Sequence, residues 1–187
     1  MFRQCILELA PQWAAYAAKQ RVNKYHPVHQ LVCKAIPAAL EAWSPTAFKY
    51  KFEGSDGQGN ILAVPWFAVF NKEVTTKASE GYYLVYLLSA DLQTLVLEIG
   101  FGATQFERKY GRGKHLFGEV DKAVAHMRTS SQYLLPKALD VTFKKTNVEP
   151  VVLETSDNFN LSAYERCTIY SVSYSVTAVR LFFEKIA

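Results

Sequence analysis

The spacing of apolar side chains changes at Phe48, and the change separates a helical first part of the chain from a strand-rich second part. Upstream, Ile6, Leu9, Trp13 and Ala17 recur every three to four residues, which predicts an amphipathic helix over residues 3–20 with Pro11 starting or kinking a turn. A second helix is predicted from Pro27, a residue suited to a first helical position, through Leu31, Cys33 and Ile36 until Pro37 breaks or bends it. From Phe48 the stretch "AFKYKFEG" alternates Phe48, Tyr50 and Phe52 with Lys49, Lys51 and Glu53, the pattern of a strand with one dry and one wet face.

Three nearly continuous apolar runs follow, Ile61 to Phe70, Tyr82 to Leu88 and Leu95 to Phe101, and they predict strands covered on both faces. The polar "NKEVTTKASEG" between the first two is loop-like, while "SADLQT" is short enough for a hairpin. Beyond them, "GEVDKAVAHMRTSSQYLL" has helical amphipathicity, "DVTFKKT" and "PVVLET" read as short strands, and "NLSAYERCTIYSVSYS" as a weaker, hydroxyl-rich helix. The expected fold class is α+β: one domain over residues 1–187, with a mainly antiparallel or mixed sheet flanked by helices. One stretch resists this simple plan. In "GQGNILAVPWFAVF" a proline and a tryptophan stand at the centre of the most apolar run, and a proline, having no N–H for the ladder, belongs at an edge, a strand start or a bulge.

Composition narrows the function classes. Hydrophobic residues at 50%, charged residues at 20% and a mean hydropathy of -0.03 describe an ordinary globular chain, and no segment approaches the roughly 20 uninterrupted apolar residues of a membrane span. Arg3 and Glu8 interrupt the apolar N-terminus, which does not resemble a signal peptide. Cys5, Cys33 and Cys167 form no CxxC pair and suit small buried hydrophobes in a reducing cytoplasm, where we expect the protein to reside. A net charge of +4 permits an anionic partner without demanding one.

Catalytic patterns are missing. The nearest approach to a phosphate-binding P-loop, "ERKYGRGKH", has His115 where Ser or Thr is needed and lacks the first glycine. No GxSxG, HExxH or clustered-carboxylate pattern occurs, so no catalytic residue and no cofactor is expected on this chain. His26 and His29 form a short pair without a cysteine or carboxylate cluster at metal spacing, which favours a surface or helix-cap role over metal binding. "FERKYGRGK" gathers Arg108, Lys109, Arg112 and Lys114 around Tyr110 in a glycine-containing loop. Such a segment suits phosphate contacts with base stacking, although an ordinary solvated loop is the simpler interpretation of its composition.

The stretch from Ser55 to Thr104, "SDGQGNILAVPWFAVFNKEVTTKASEGYYLVYLLSADLQTLVLEIGFGAT", resembles the core of the McrB-like N-terminal domain family. A Gly-x-Gly-Asn loop, a Pro-Trp-Phe strand, a Gly-x-Tyr strand start and a Leu-x-Leu strand occur in the family's order and at closely similar spacing; "YERCTIYSVSY" is similar to its C-terminal part more loosely. The resemblance implies a DNA-binding specificity domain of a modification-dependent restriction system, which flips a methylated or otherwise modified base of double-stranded DNA into an aromatic pocket. Catalysis would then belong to a nuclease or GTPase domain or subunit. It further implies that Trp66, Tyr83 and Leu87 form the base pocket and that Gly57, Gln58, Gly59 and Asn60 form the loop entering the duplex, with Gln58 in place of the family's aromatic wedge. Four residues of extended chain span roughly 13 Å, so Tyr83 and Leu87 cannot sandwich one base unless a bulge, a bend or a neighbouring side chain completes the wall. The alternative from another class is a protein-interaction or assembly module of a defence complex, its aromatics purely structural.

Overall fold

The computed structural model describes residues 1–89, 91–112, 114–131 and 165–176. Helix α1, Phe2–Ala17, buries Phe2, Ile6, Leu9, Trp13 and Tyr16 along one stripe, while Pro11 lies on its exposed side and leaves the helix unbroken. Helix α2, Pro27–Gln30, has His26 as its N-cap, the imidazole accepting from the Val28 N–H at 3.2 Å as a cap should. Pro37 does not break the path as expected. The chain widens into a π-turn, Leu31–Ala35, and re-enters helix α3, Ile36–Trp43, with Pro37 in its first turn, where a missing N–H costs little.

After a 3₁₀ turn, Ala47–Lys49, which leaves Phe48 exposed, five antiparallel strands form one open sheet in sequential order: β1 Tyr50–Gln58, β2 Asn60–Asn71, β3 Tyr82–Leu88, β4 Thr94–Phe101 and β5 Thr168–Ser175. Between β4 and β5 come helices α4, Ala103–Tyr110, and α5, Lys114–Ser131. The α+β class holds. Two expectations change. Among the described residues, the segment expected as a hydroxyl-rich helix is helical at residues 165–167 and then becomes β5, because alternating Ile169, Ser171 against Tyr170, Val172, Tyr174 pairs with the edge of β4. The basic "loop" is largely α4, since Phe106 and Tyr110, one helical turn apart, pack with Leu116 and Val120 of α5. The short strands expected in "DVTFKKT" and "PVVLET" lie outside the described residues.

The sheet has two unlike faces. Phe67, Tyr86, Leu88, Leu95 and Leu97 face α1–α3 and join Ile6, Leu9, Val32 and Ile36 in the main core. Val64, Ala68, Phe70, Tyr83, Val85, Leu87 and Val96 form a second cluster on the opposite face, with Trp66 packed against it. The residues of this second cluster are also buried, each 8% exposed or less, and several of them floor a cavity.

Pro65 has its explanation in β2. Residues 62–65 have no register partner in β1 or β3: pairing with β1 runs from Tyr50↔Asn71 to Ser55↔Trp66 and resumes at Gly57↔Ile61, while pairing with β3 starts at Trp66↔Leu87. The proline therefore sits in a wide bulge and removes no ladder hydrogen bond. The freed Ala63 carbonyl accepts from Trp13 Nε1 at 3.2 Å.

Opposite the bulge, Asp56 is 1% exposed and gathers three groups from the helical layer. The Tyr16 hydroxyl donates to Oδ2 at 2.5 Å, His29 Nδ1 lies 2.8 Å from the same oxygen, and the Cys33 thiol donates to Oδ1 at 3.6 Å. Close approach makes this possible, because a Cβ on Gly54 would stand 2.1 Å from the Val32 carbonyl of the π-turn. Asp56→Ala strands the buried Tyr16 hydroxyl and the His29 ring at once, and we expect it to lower unfolding free energy by about 2–4 kcal/mol, read from urea denaturation followed by tryptophan fluorescence.

Candidate nucleic-acid interface

The open face of the sheet carries a cavity of about 830 Å³. Its floor is the second apolar cluster, its sides are the start of β2 and the segment Thr76–Ser79, and its rim includes the β1–β2 hairpin and α4. Trp66, Tyr83 and Leu87, named from the sequence, all line it. Trp66 is half-buried and stands directly across from Leu87 in the β2–β3 register. Tyr83 is 8% exposed; its ring packs on Phe70 at 4.9 Å and its hydroxyl donates to the Ala78 carbonyl at 2.8 Å, which fixes the ring's position. Leu87 is 1% exposed and contributes only a sliver of floor.

Tyr83 and Leu87 remain four residues apart on one extended strand. Val85 fills the interval, and Glu98, its partner on β4, faces the cavity beside it. A flat ligand would therefore meet Val85 and Glu98 between the two outer residues. Neither was singled out from the sequence. The available signal was Glu98 itself, a lone carboxylate in the apolar run "TLVLEIGF", since a buried polar group is more informative than another buried leucine. Glu98 is 3% exposed, and burial pushes its carboxyl up to about 8, against the lowering effect of the Thr168 hydroxyl that donates to Oε2 at 2.6 Å.

The hairpin tip is built by glycine. Gly57 has φ +131, and a Cβ there would come within 2.0 Å of the Asn60 carbonyl; Gly59 has φ +83 and points into open space. Gln58, Gly59 and Asn60 are exposed, and Gln58 and Asn60 line the cavity rim along with Gly57. The tip is nevertheless anchored: Val22 N–H donates to the Gly59 carbonyl at 3.0 Å and Ile61 N–H to the Gln20 carbonyl at 2.9 Å.

The four basic residues separate. Arg108 is exposed and lines the cavity. Arg112 Nε pairs with Glu107 at 3.2 Å, and Lys109 lies over the Tyr110 ring at 4.9 Å. Lys114 opens α5, and its side chain lies outside the described residues. Lys51, pairing with Glu53 at 2.5 Å, and Lys77, pairing with Glu80 at 3.1 Å, also reach the cavity, so cations from three elements stand around it.

One cluster bears on metal binding. Ligand atoms of His29, Cys33 and Asp56 lie within 4.8 Å of one another. The sequence placed no cysteine or carboxylate with the histidine pair, but Cys33 follows His29 by about one helical turn and β1 brings Asp56 across. Burial, and secondarily the Asp56 charge, pushes the Cys33 thiol up to about 12, so the group holds together by shared protons. All three cysteines are free thiols. Among the described residues no helix is long and apolar enough to cross a membrane.

The antiparallel sheet thus carries a cavity bordered by a glycine hairpin and by cations. The "MrcB-like, N-terminal domain" family matches residues 11–182, nearly the whole length, and the chain belongs to this family. Membership supports a DNA-binding role in a restriction system, and the matched unit is a binding domain, not a catalytic one. No curated protein and no solved structure matches the chain.

The raised Glu98 carboxyl gives a stability prediction. It stays protonated in the folded chain to about pH 8 but ionises near 4.5 when unfolded, so the unfolded state binds fewer protons between those values and stability falls as pH rises through that window. Glu98→Gln removes this loss. The Tm of the variant relative to wild type should climb from about pH 5 to about pH 8 and level off above, measured by thermal unfolding across buffers.

Proposed function

We propose that this domain is the specificity element of a modification-dependent restriction system, taking a modified base flipped out of double-stranded DNA into the cavity bounded by Trp66, Tyr83 and Leu87. The observation that carries the proposal is the convergence of these three residues, which come from two strands, on one open cavity beside the Gly57–Asn60 hairpin and Arg108. The exposed part of Trp66 offers a stacking surface; Gln58 at the tip replaces the departed base by hydrogen-bonding its orphaned partner; Arg108 and its neighbours on α4 hold phosphates. Cleavage belongs to a nuclease or GTPase domain or subunit, in the cytoplasm where foreign DNA arrives.

The cavity also accounts for the span between Tyr83 and Leu87. A base does not have to be sandwiched between them, because it can lie over Val85 with Tyr83 at one end, Leu87 at the other and Trp66 across the strand. Energetics favours a modest reader. One methyl group contributes about 0.8 kcal/mol, roughly a fourfold preference, so discrimination requires pocket shape, polar contacts and several copies acting together.

Fluorescence polarisation on duplexes with and without 5-methylcytosine or N6-methyladenine tests the proposal. Wild type should prefer one modified duplex, and Trp66→Ala should weaken that binding about tenfold or more while leaving the unmodified duplex nearly unaffected. Equal weak binding by wild type and variant to every duplex would remove the base-reading role and favour a protein-interaction module. Arg108→Ala should weaken all duplexes alike and reduce the slope of log K against log salt by about one.

A further inference from the structure

Among the described cavity-lining residues of β3 and β4, Glu98 is the one carboxylate. Its carboxyl is held at one end, Oε2 accepting from the Thr168 hydroxyl of β5 at 2.6 Å, whereas Oε1 has no hydrogen-bond partner among the described residues. Thr168 is itself 1% exposed, so the anchoring bond is shielded from water. In the ladder Glu98 stands opposite Val85, midway between Tyr83 and Leu87, and on its other side Gly100, paired with Tyr83, leaves space where a side chain would crowd Oε1 at 3.0 Å. An acid held by Thr168 at one oxygen, with no partner for the other among the described residues, stands beside a glycine on a cavity floor and is available to a ligand.

Resting on the base-pocket reading above, we propose that Glu98 reads the edge of the flipped base and restricts the site to bases presenting an amino group beside a bare ring nitrogen, namely cytosine or adenine derivatives. With Oε2 accepting from Thr168, the neutral acid turns its O–H at Oε1 into the cavity as a donor, and a lone pair on the same oxygen accepts. The ring nitrogen N3 of cytosine or N1 of adenine accepts this hydrogen bond, and the adjacent exocyclic amine donates in return. With the O–H in that orientation, thymine, hypoxanthine and guanine, which carry N–H at that ring position, oppose donor to donor. Burial keeps the acid neutral at ordinary pH. The charged and titratable groups around it are Glu165 and Cys167 at the approach to β5, Tyr83 on β3, Glu107 and Arg108 on α4, Lys51 and Glu53 on β1, and Lys77 on the β2–β3 segment. The Lys51–Glu53 and Arg112–Glu107 pairs leave Arg108 as the cation of the cavity wall without an ion-pair partner among the described residues.

The probes are two bases and their deamination products, since deamination turns an amino group beside a bare nitrogen into a carbonyl beside N–H. Duplexes with 5-methylcytosine opposite guanine and with thymine opposite guanine share the methyl group and the opposing base, and the mismatched thymine leaves the stack more easily. N6-methyladenine and hypoxanthine, each opposite thymine, form the second pair. With the 187-residue chain, the amino member of at least one pair should bind about tenfold more tightly near pH 6.5, the preference should shrink as pH passes about 8, and Glu98→Leu should abolish it. Glu98→Gln should flatten the pH profile, which keeps the inference testable if the leucine variant does not fold. Trp66-dependent binding in which both deaminated bases bind as well as or better than their amino parents, or a preference with no pH dependence in wild type, would overturn the assignment of Glu98 while leaving the pocket standing. If no duplex shows Trp66-dependent binding, the pocket itself falls, and this inference with it.

Discussion

Residues 62–65 leave the hydrogen-bond ladder, and much of the domain's shape follows from how that gap is managed. An extended strand in register with both neighbours would carry Trp66 and Phe67 through a flat sheet. Instead β2 pairs with β1 on both sides of the bulge but with β3 only from Trp66 onward. The extra length bends the strand, and bulges increase local twist. A buried proline costs nothing where no partner awaits its nitrogen, and Trp13 supplies the donor that the Ala63 carbonyl would otherwise lack.

The same bend separates the two faces of the sheet by chemistry. On the helical side, packing is continuous and includes the Asp56 hub, whose carboxylate is shared among groups from α1, α2 and the π-turn. A carboxylate that satisfies several buried donors is hard to replace, because removing it leaves each of them stranded. On the open side Glu98 has the opposite circumstances: one oxygen held, the other facing the cavity, the proton retained by desolvation. Two buried acids of one sheet therefore serve different ends, one closing the structure and one left available.

Much of the scaffold was legible in the sequence. Four strands and the first helix follow from periodicity, and the ordered motifs between Ser55 and Thr104 point to the family that the chain belongs to. What escaped was set by tertiary context. The segment "TIYSVSYS" became a strand because β4 offered an unpaired edge, and hydroxyl-rich residues tolerate either state until such a partner decides. Arg108, Lys109 and Arg112 read as one basic loop, yet Arg108 and Lys109 lie on α4, and Arg112, just beyond it, pairs with Glu107. Pro37, expected to break or bend the second helix, stands in the first turn of α3 directly after a π-turn. Cys33 and His29 seemed unrelated to any carboxylate because Asp56 lies 23 residues beyond Cys33 and only the fold unites them.

The hairpin tip is bonded to the segment after α1 by the Val22–Gly59 and Ile61–Gln20 hydrogen bonds. Gly59 by itself suggests a floppy finger, but the braces remove freedom that its small residues would otherwise have. A loop already stiffened before contact loses little disorder when a duplex arrives, so more of each contact formed appears as net affinity. In mechanical terms the hairpin is a beam propped at its tip by the segment after α1, and a change at Gln20 or Val22 would be felt there.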